Sequence, residues 1–295
     1  MTVLADLEPK ALALAPFDRV DAERVIACPD LVTVGMLGET ARKARHGDRV
    51  TYVRVCTIDG PLPADRGEAG EVRITVPPAS ADEAVRLVRD AAALAGDVVL
   101  TGFSLASLVE LAGGDHLALV ELAAALRAAG LDAVAAVPLD RFGDAESAAE
   151  AVRAARQGGL RAARLTVEQA AFDARLALIE RAAAIAQAAG PFDAFAPLPE
   201  MDPPDLPSTG YDDVKTVALA RLCTAIPAIQ VSWPLYGPKL AQVAIAYGAS
   251  DLDGVPPVDE LALGQRRAPR ADVERQIRAA FTEPAERNGR FELLS

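Results

Sequence analysis

The chain has 295 residues, 51% hydrophobic, 24% charged and 4% aromatic, with a formal charge of −12. That apolar content excludes disorder, and the alanine-rich, aromatic-poor balance favours closely packed helices over a β-sandwich. The acidic balance argues against nucleic acid or an anionic membrane as partner, since both need clustered cations.

Met1–Leu14 carries acidic residues and lacks the order of basic region, apolar core and small-residue cleavage site, so it does not read as a secretory signal. One helix follows Asp21. A second starts at Pro29-Asp30, with Leu31, Val34, Leu37, Ala41 and Ala44 at helical spacing, basic residues in its last turn and Gly47 at its end. From there strands and helices alternate. Apolar strand candidates are Val50–Val55, Val72–Val76, Val98–Thr101, Ala133–Val137, Ala162–Leu165, Ala194–Leu198 and Ile229–Trp233. Between them, Ser80 with Glu83 and Thr166 with Gln169 have capping-box spacing, Asp115 can cap Leu117–Ala128, and Asp144 with Gly158-Gly159 brackets another helix. Pro238 suits the first turn of a helix that ends at Gly248.

Strand–helix alternation with short connections implies parallel strands and right-handed crossovers, and the helix lengths fit a barrel or partial barrel. Val72–Val76 reads either as a barrel stave or as a hairpin arm. No repeat or low-complexity linker marks a boundary, so residues 1–295 are expected to form a single α/β domain. No run approaches the roughly 18 apolar residues that span a bilayer. The cysteines Cys28, Cys56 and Cys223 are far apart and odd in number, which makes a reducing cytoplasm the expected compartment.

Five segments resemble one family in order: PDLVTVGMLGETARKARHGDRVTYV (29–53), FDAFAPLP (192–199), STGYDDVKTVALARL (208–222), IQVSWPLYGPKLAQVAIAYGASDLDGV (229–255) and, more weakly, IRAAFTEPAERNGRFELL (277–294). The family is the radical-SAM group that includes aminofutalosine synthase and cyclic dehypoxanthine futalosine synthase of menaquinone biosynthesis, together with the deazaflavin synthases. The resemblance implies a TIM-like (β/α) barrel with N-terminal helices. The family carries a CxxxCxxC loop after the first strand, whose three thiolates bind a [4Fe–4S] cluster. Here that loop begins Cys56-Thr57-Ile58-Asp59-Gly60-Pro61, and one thiolate cannot hold the cluster. The glycine-rich segment that contacts S-adenosylmethionine is reduced to Thr101-Gly102-Phe103, and Val255 replaces the family threonine. The stretch from Phe142 to Phe192 is shorter than in the family, so the barrel is expected to be incomplete and no cofactor is expected.

The residues themselves offer few sites. Cys56 reads best as a small core side chain and His46 as a donor at a helix end. Two isolated histidines make a zinc site improbable. Asp251 and Asp253 flank Leu252 in what reads as a loop, either a turn with Asx-type bonds or the polar wall of a pocket. Trp233, at a strand end, is either core packing or a flat surface for a ring, with Gln230 and Ser232 on the opposite face. A small-molecule site at the C-terminal ends of the strands would use Gly102, Glu200, Trp233, Asp251 and Asp253. Two functions follow. One is a non-catalytic paralogue that pairs with a catalytic radical-SAM relative, self-associates or binds a nucleoside-like intermediate. The other is a cluster-independent enzyme acting on a futalosine-like nucleoside.

Overall fold

Parallel strands need a crossover between each pair, and right-twisted strands joined this way curl until the sheet meets itself. The computed structural model describes residues 4–201, 209–258 and 270–294. β1 (Arg49–Ile58) pairs with β2 (Glu71–Ile74), and the parallel ladder continues through β3 (Val99–Ser104) and β4 (Ala133–Pro138). Next comes a stave broken into β5 (Arg161–Ala162) and β6 (Arg164–Thr166), followed by β7 (Ala194–Phe195), β8 (Ala228–Ser232) and β9 (Asp251–Val255). β9 returns to β1 through Thr51–Asp251 and Tyr52–Leu252, so the ring closes.

This closure corrects the expectation of an incomplete barrel. The segment between Phe142 and Phe192 still holds a whole repeat, and the Asp-Leu-Asp-Gly stretch taken for a loop is the last stave. Val72–Ile74 lies in a parallel stave and not in a hairpin arm. A further strand, β10 (Glu283–Glu286), pairs with Arg49–Tyr52 of β1. β2 meets β1 only from Val55 onward and β9 occupies the other edge, so β10 fills the lower half of the second stave.

The helices are α1 (Glu8–Leu12), α2 (Arg19–Ala27), α3 (Leu31–His46), α4 (Ala81–Ala95), α5 (Leu105–Leu111), α6 (His116–Ala129), α7 (Ala145–Gln157), α8 (Arg175–Ala189), α9 (Gly210–Cys223), α10 (Trp233–Ala246) and α11 (Arg270–Ala279). Their starts follow capping chemistry: Asp18, Asp30, Ser80, Asp115, Asp144 and Thr209 each accept from a backbone N–H of the first turn. The Thr166–Gln169 pair does not cap. Thr166 ends β6, and α8 starts only at Arg175. α10 is two segments that meet at Gly237 (φ 73°), with Pro238 opening the second. Among the described residues no helix is long and apolar enough to cross a membrane.

The apolar core lies between strands and helices, where Val50, Tyr52, Cys56, Val72, Ile74, Leu100, Leu165, Phe195, Ile229, Val231 and Leu252 face outward from the ring. α3 approaches the end of α10 closely because Gly38 has no side chain. A Cβ there would collide with the Tyr247 carbonyl.

At the end of α3, His46 Nε2 lies 2.8 Å from the Pro227 carbonyl oxygen and so must donate to it. The bond ties α3 to the turn before β8 and does not cap the helix. Burial, with lesser repulsion from Arg221, Arg45 and Arg42, pushes the imidazole pKa down to about 4. A folded value below the unfolded one means that His46 contributes fully above about pH 6.5, and the contribution drains away as pH falls toward 4. We expect the His46 ring resonances to titrate with a midpoint near pH 4. A midpoint above about pH 6 would show the ring to be solvated and the tie absent.

Candidate functional site

Alternation along each strand decides what fills the ring. Small barrels ordinarily fill with branched apolar side chains, but this one fills with charge. Glu71 and Arg73 from β2, Thr101 from β3, Arg164 from β6, Gln230 from β8, and Asp251 and Asp253 from β9 meet in hydrogen bonds across the interior. Arg287, just past β10, enters from below.

Two carboxylates organise the interior. Asp253 receives both terminal nitrogens of Arg73, at 2.7 and 2.8 Å, and Nη1 of Arg164 at 2.5 Å. Burial alone would raise the Asp253 pKa, but the guanidinium groups of Arg73 and Arg164 outweigh it and hold the carboxyl far below the usual carboxylate range. Asp251 receives Nε and Nη2 of Arg287 at 2.6 and 2.7 Å, the Gln230 amide at 2.8 Å and the Thr51 hydroxyl at 2.5 Å. Glu71 accepts from Arg73 Nε and from Thr101, both at 2.7 Å. The Arg287 guanidinium stacks 3.9 Å from the Phe291 ring, which closes the lower end.

Above this floor a cavity of about 320 Å³ opens at the C-terminal ends of the strands. Arg73, Arg164, Asp253, Gln230, Phe103 and Glu200 stand in its wall, and the small Ala135 and Ala136 of β4 leave it room. Phe103 is 3% exposed yet holds φ at 60°. A non-glycine residue in that region costs of order 1–3 kcal/mol, and such strain concentrates at ligand sites. Glu200 sits at the mouth and is open to solvent. The protein packed around it still pushes its pKa up, aided by Glu168 and opposed by Arg164.

No family model matches this sequence. It is 34% identical over 95 residues to aminodeoxyfutalosine synthase of Streptomyces coelicolor, covering 30% of this chain and 24% of that enzyme. It is 36% identical over 89 residues to 5-amino-6-(D-ribitylamino)uracil–L-tyrosine 4-hydroxyphenyl transferase 2 of Methanosarcina mazei, covering 28% and 23%. The matched stretch thus spans about a quarter of the length of these curated relatives. Among solved structures, methylornithine synthase (PylB) superposes with a TM-score of 0.69 at 14% identity, over 95% of this chain and 97% of that one. The [FeFe]-hydrogenase maturase HydG gives 0.64 at 12% identity, over 96% and 75%. This chain is a partial homologue of the futalosine- and deazaflavin-type radical-SAM enzymes. Its fold is the radical-SAM barrel.

Of the five residues expected at the site of this radical-SAM-like barrel, Glu200 and Asp253 line the cavity. Gly102 does not line it. It is a packing glycine whose Cβ would press on Ile74 and Leu131 at 3.2 Å, and its neighbour Phe103 reaches the cavity instead. Asp251 lies below the floor, fully buried against Arg287. Trp233 is the first residue of α10 and is 0% exposed, outside the cavity wall, because the chain has already turned from β8 into the helix. Gln230 and Ser232, placed on the other face of that strand, are the ones that line the cavity. Arg73, Arg164 and Arg287 escaped the sequence reading. The signal was an arginine flanked by apolar residues in Val72-Arg73-Ile74, inside a parallel stave where continuous apolar runs are the rule.

The fold family implies an iron–sulfur cluster, and the thiols present do not fit one. Cys56 is a residue of β1 whose side chain joins the outer core, Cys28 terminates α2 with its Sγ 3.6 Å from the Asp30 carbonyl oxygen, and Cys223 ends α9. All three are buried, and burial pushes the Cys56 thiol up and the Cys223 thiol to about 12, away from the thiolate that binds iron.

Asp253→Asn keeps the size of the side chain but leaves two guanidinium groups short of a counter-charge. We expect it to lower unfolding stability by about 3–5 kcal/mol in urea titration. Trp233→Ala should cost about 3–5 kcal/mol as a core truncation. A loss under about 1 kcal/mol would place the indole in a solvated wall instead.

Proposed function

We propose that this chain is a non-catalytic, cluster-free radical-SAM-like protein that binds a small polar molecule at the mouth of its barrel. The ligand we favour is a futalosine-like nucleoside or a related precursor in menaquinone biosynthesis. The protein works in the cytoplasm beside a catalytic radical-SAM relative or a second copy of itself. One observation carries the reading: the barrel keeps a strained, polar cavity above a rigid ion network, while its thiols are spread over three elements and turned into the core. The partial homology supports the ligand class, since the two named relatives make or use a nucleoside and a ribitylaminouracil. A second reading, acid–base chemistry on the same ligand without a cluster, has Glu200 in its favour, because its carboxyl is raised and faces the cavity.

Two measurements test the proposal. Anaerobic reconstitution with iron and sulfide should leave the protein colourless, whereas about four irons per chain with a brown chromophore would overturn the cluster-free reading. Calorimetric titration with aminodeoxyfutalosine and with 5-amino-6-(D-ribitylamino)uracil should give saturable binding of at least one. Turnover of either compound by the isolated protein, abolished in Glu200→Gln, would replace the non-catalytic reading with the enzymatic one.

A further inference from the structure

The hydrogen-bonded interior of the ring is interrupted at β4. That stave carries no polar side chain, so on its side of the ring nothing joins Glu71 and Thr101 to Arg164. Beneath the cluster of Arg73, Asp253 and Arg164, the small Ala133 and Ala135 of β4 border a void of about 20 Å³. Glu71, Thr101, Arg164 and Gln230 stand in its wall, and Phe291 lies at its lower end. One water needs about 10–15 Å³, so the void has room for a single water and for nothing larger.

The wall offers one donor and two acceptors. Glu71 Oε1 accepts from Arg73 Nε and from Thr101 Oγ1, whereas its Oε2 has no hydrogen-bond partner among the described residues. Arg164 gives Nε to the Ala135 carbonyl and Nη1 to Asp253 and Gln230, so its Nη2 has no partner among them either. Both atoms keep accessible surface, unlike the sealed Ser104 Oγ and Thr166 Oγ1. Glu71 borders this void and not the cavity above, so the accessible side of its Oε2 is toward the void. Thr101 spends its proton on Glu71 and keeps its acceptor lone pairs. Charge decides what fits between them. Arg73, Arg164 and Arg287 are already balanced by Glu71, Asp251 and Asp253, so an added ion of either sign would be buried without a counter-charge.

We propose that this void is the site of one buried structural water, which accepts from Arg164 Nη2 and donates to Glu71 Oε2 and Thr101 Oγ1. Three hydrogen bonds are the usual complement of such a water. The site is independent of the ligand-binding reading above. It carries the network across β4 and ties β2 and β3 to β6 without a side chain from the stave between them. It also fixes the remaining arm of Arg164, whose guanidinium stands in the wall of the upper cavity. A water held at three points inside the ring exchanges slowly with bulk.

Crystals of the full chain, diffracting well enough to show ordered water, test the site directly. One fully occupied water should lie about 2.7–3.2 Å from Arg164 Nη2, Glu71 Oε2 and Thr101 Oγ1. Soaks in bromide and in rubidium separate water from an ion, and neither should give an anomalous peak there. In solution, ¹⁷O relaxation dispersion counts slowly exchanging waters. Ala133→Val fills the void from β4, so a folded variant should lose the amplitude of one such water. Featureless density in the void, an anomalous peak, or Arg164 Nη2 bonded directly to Glu71 would overturn the proposal. So would an unchanged dispersion amplitude in folded Ala133→Val. If that variant does not fold, the density in wild-type crystals decides by itself.

Discussion

Asp253 sits 4% exposed between two guanidinium groups, and the geometry of the barrel's upper half follows from keeping it there. A carboxylate so far from water is tolerable only if every lone pair is met and an opposite charge is close. Arg73 meets it from β2 and Arg164 from β6, so strands on opposite sides of the ring are tied through one side chain on β9. The same ties spend the charge of the floor on itself. The carboxylate of Glu200, exposed at the cavity mouth, stands outside that network.

An interior of this kind exchanges stability for definition. Branched apolar side chains would fill the ring at lower cost, since replacing a buried ion network by well-packed apolar residues is often neutral or stabilising. What the network supplies is fixed directions. Arg73 is held through all three nitrogens, and Gln230 is held between Asp251 and Arg164. The cavity above is thus bounded in part by side chains whose rotamers are already set by the network. The strained Phe103 is held by the same rigid surroundings, because it is tightly buried at the end of β3.

Much of the architecture is visible in the residues, and the misses share one cause. Seven staves announce themselves as apolar runs, and cap residues such as Asp30, Ser80 and Asp144 mark helix starts where the structure has them. The eighth stave escapes because Asp251-Leu252-Asp253-Gly254 carries the signature of a turn, and its two carboxylates make sense in a strand only once Arg287 and Arg73 stand opposite. Those partners lie 36 and 180 positions away in the chain, beyond the reach of local pattern. Of the two places the sequence left open for Trp233, the structure takes the core: strand becomes helix at Ser232, and the indole is buried with Val231 instead of lining the cavity. Glu200 was placed by the rule that parallel barrels carry their sites at the C-terminal ends of their strands and Asp253 by the family resemblance, and both residues line the cavity.

The second stave is finished by β10, which joins Arg49 to Glu283 across a separation of 234 positions (283 − 49). Arg287 reaches Asp251 from the same segment. During synthesis, therefore, Asp251 and the lower edge of β1 emerge well before the residues that neutralise and cover them. The ring cannot acquire its floor on the ribosome until Glu283–Arg287 has emerged. Contacts of such long range are slow to form and leave an open strand edge meanwhile. The segment that carries β10 and Arg287 acts as the bolt that ends that exposure.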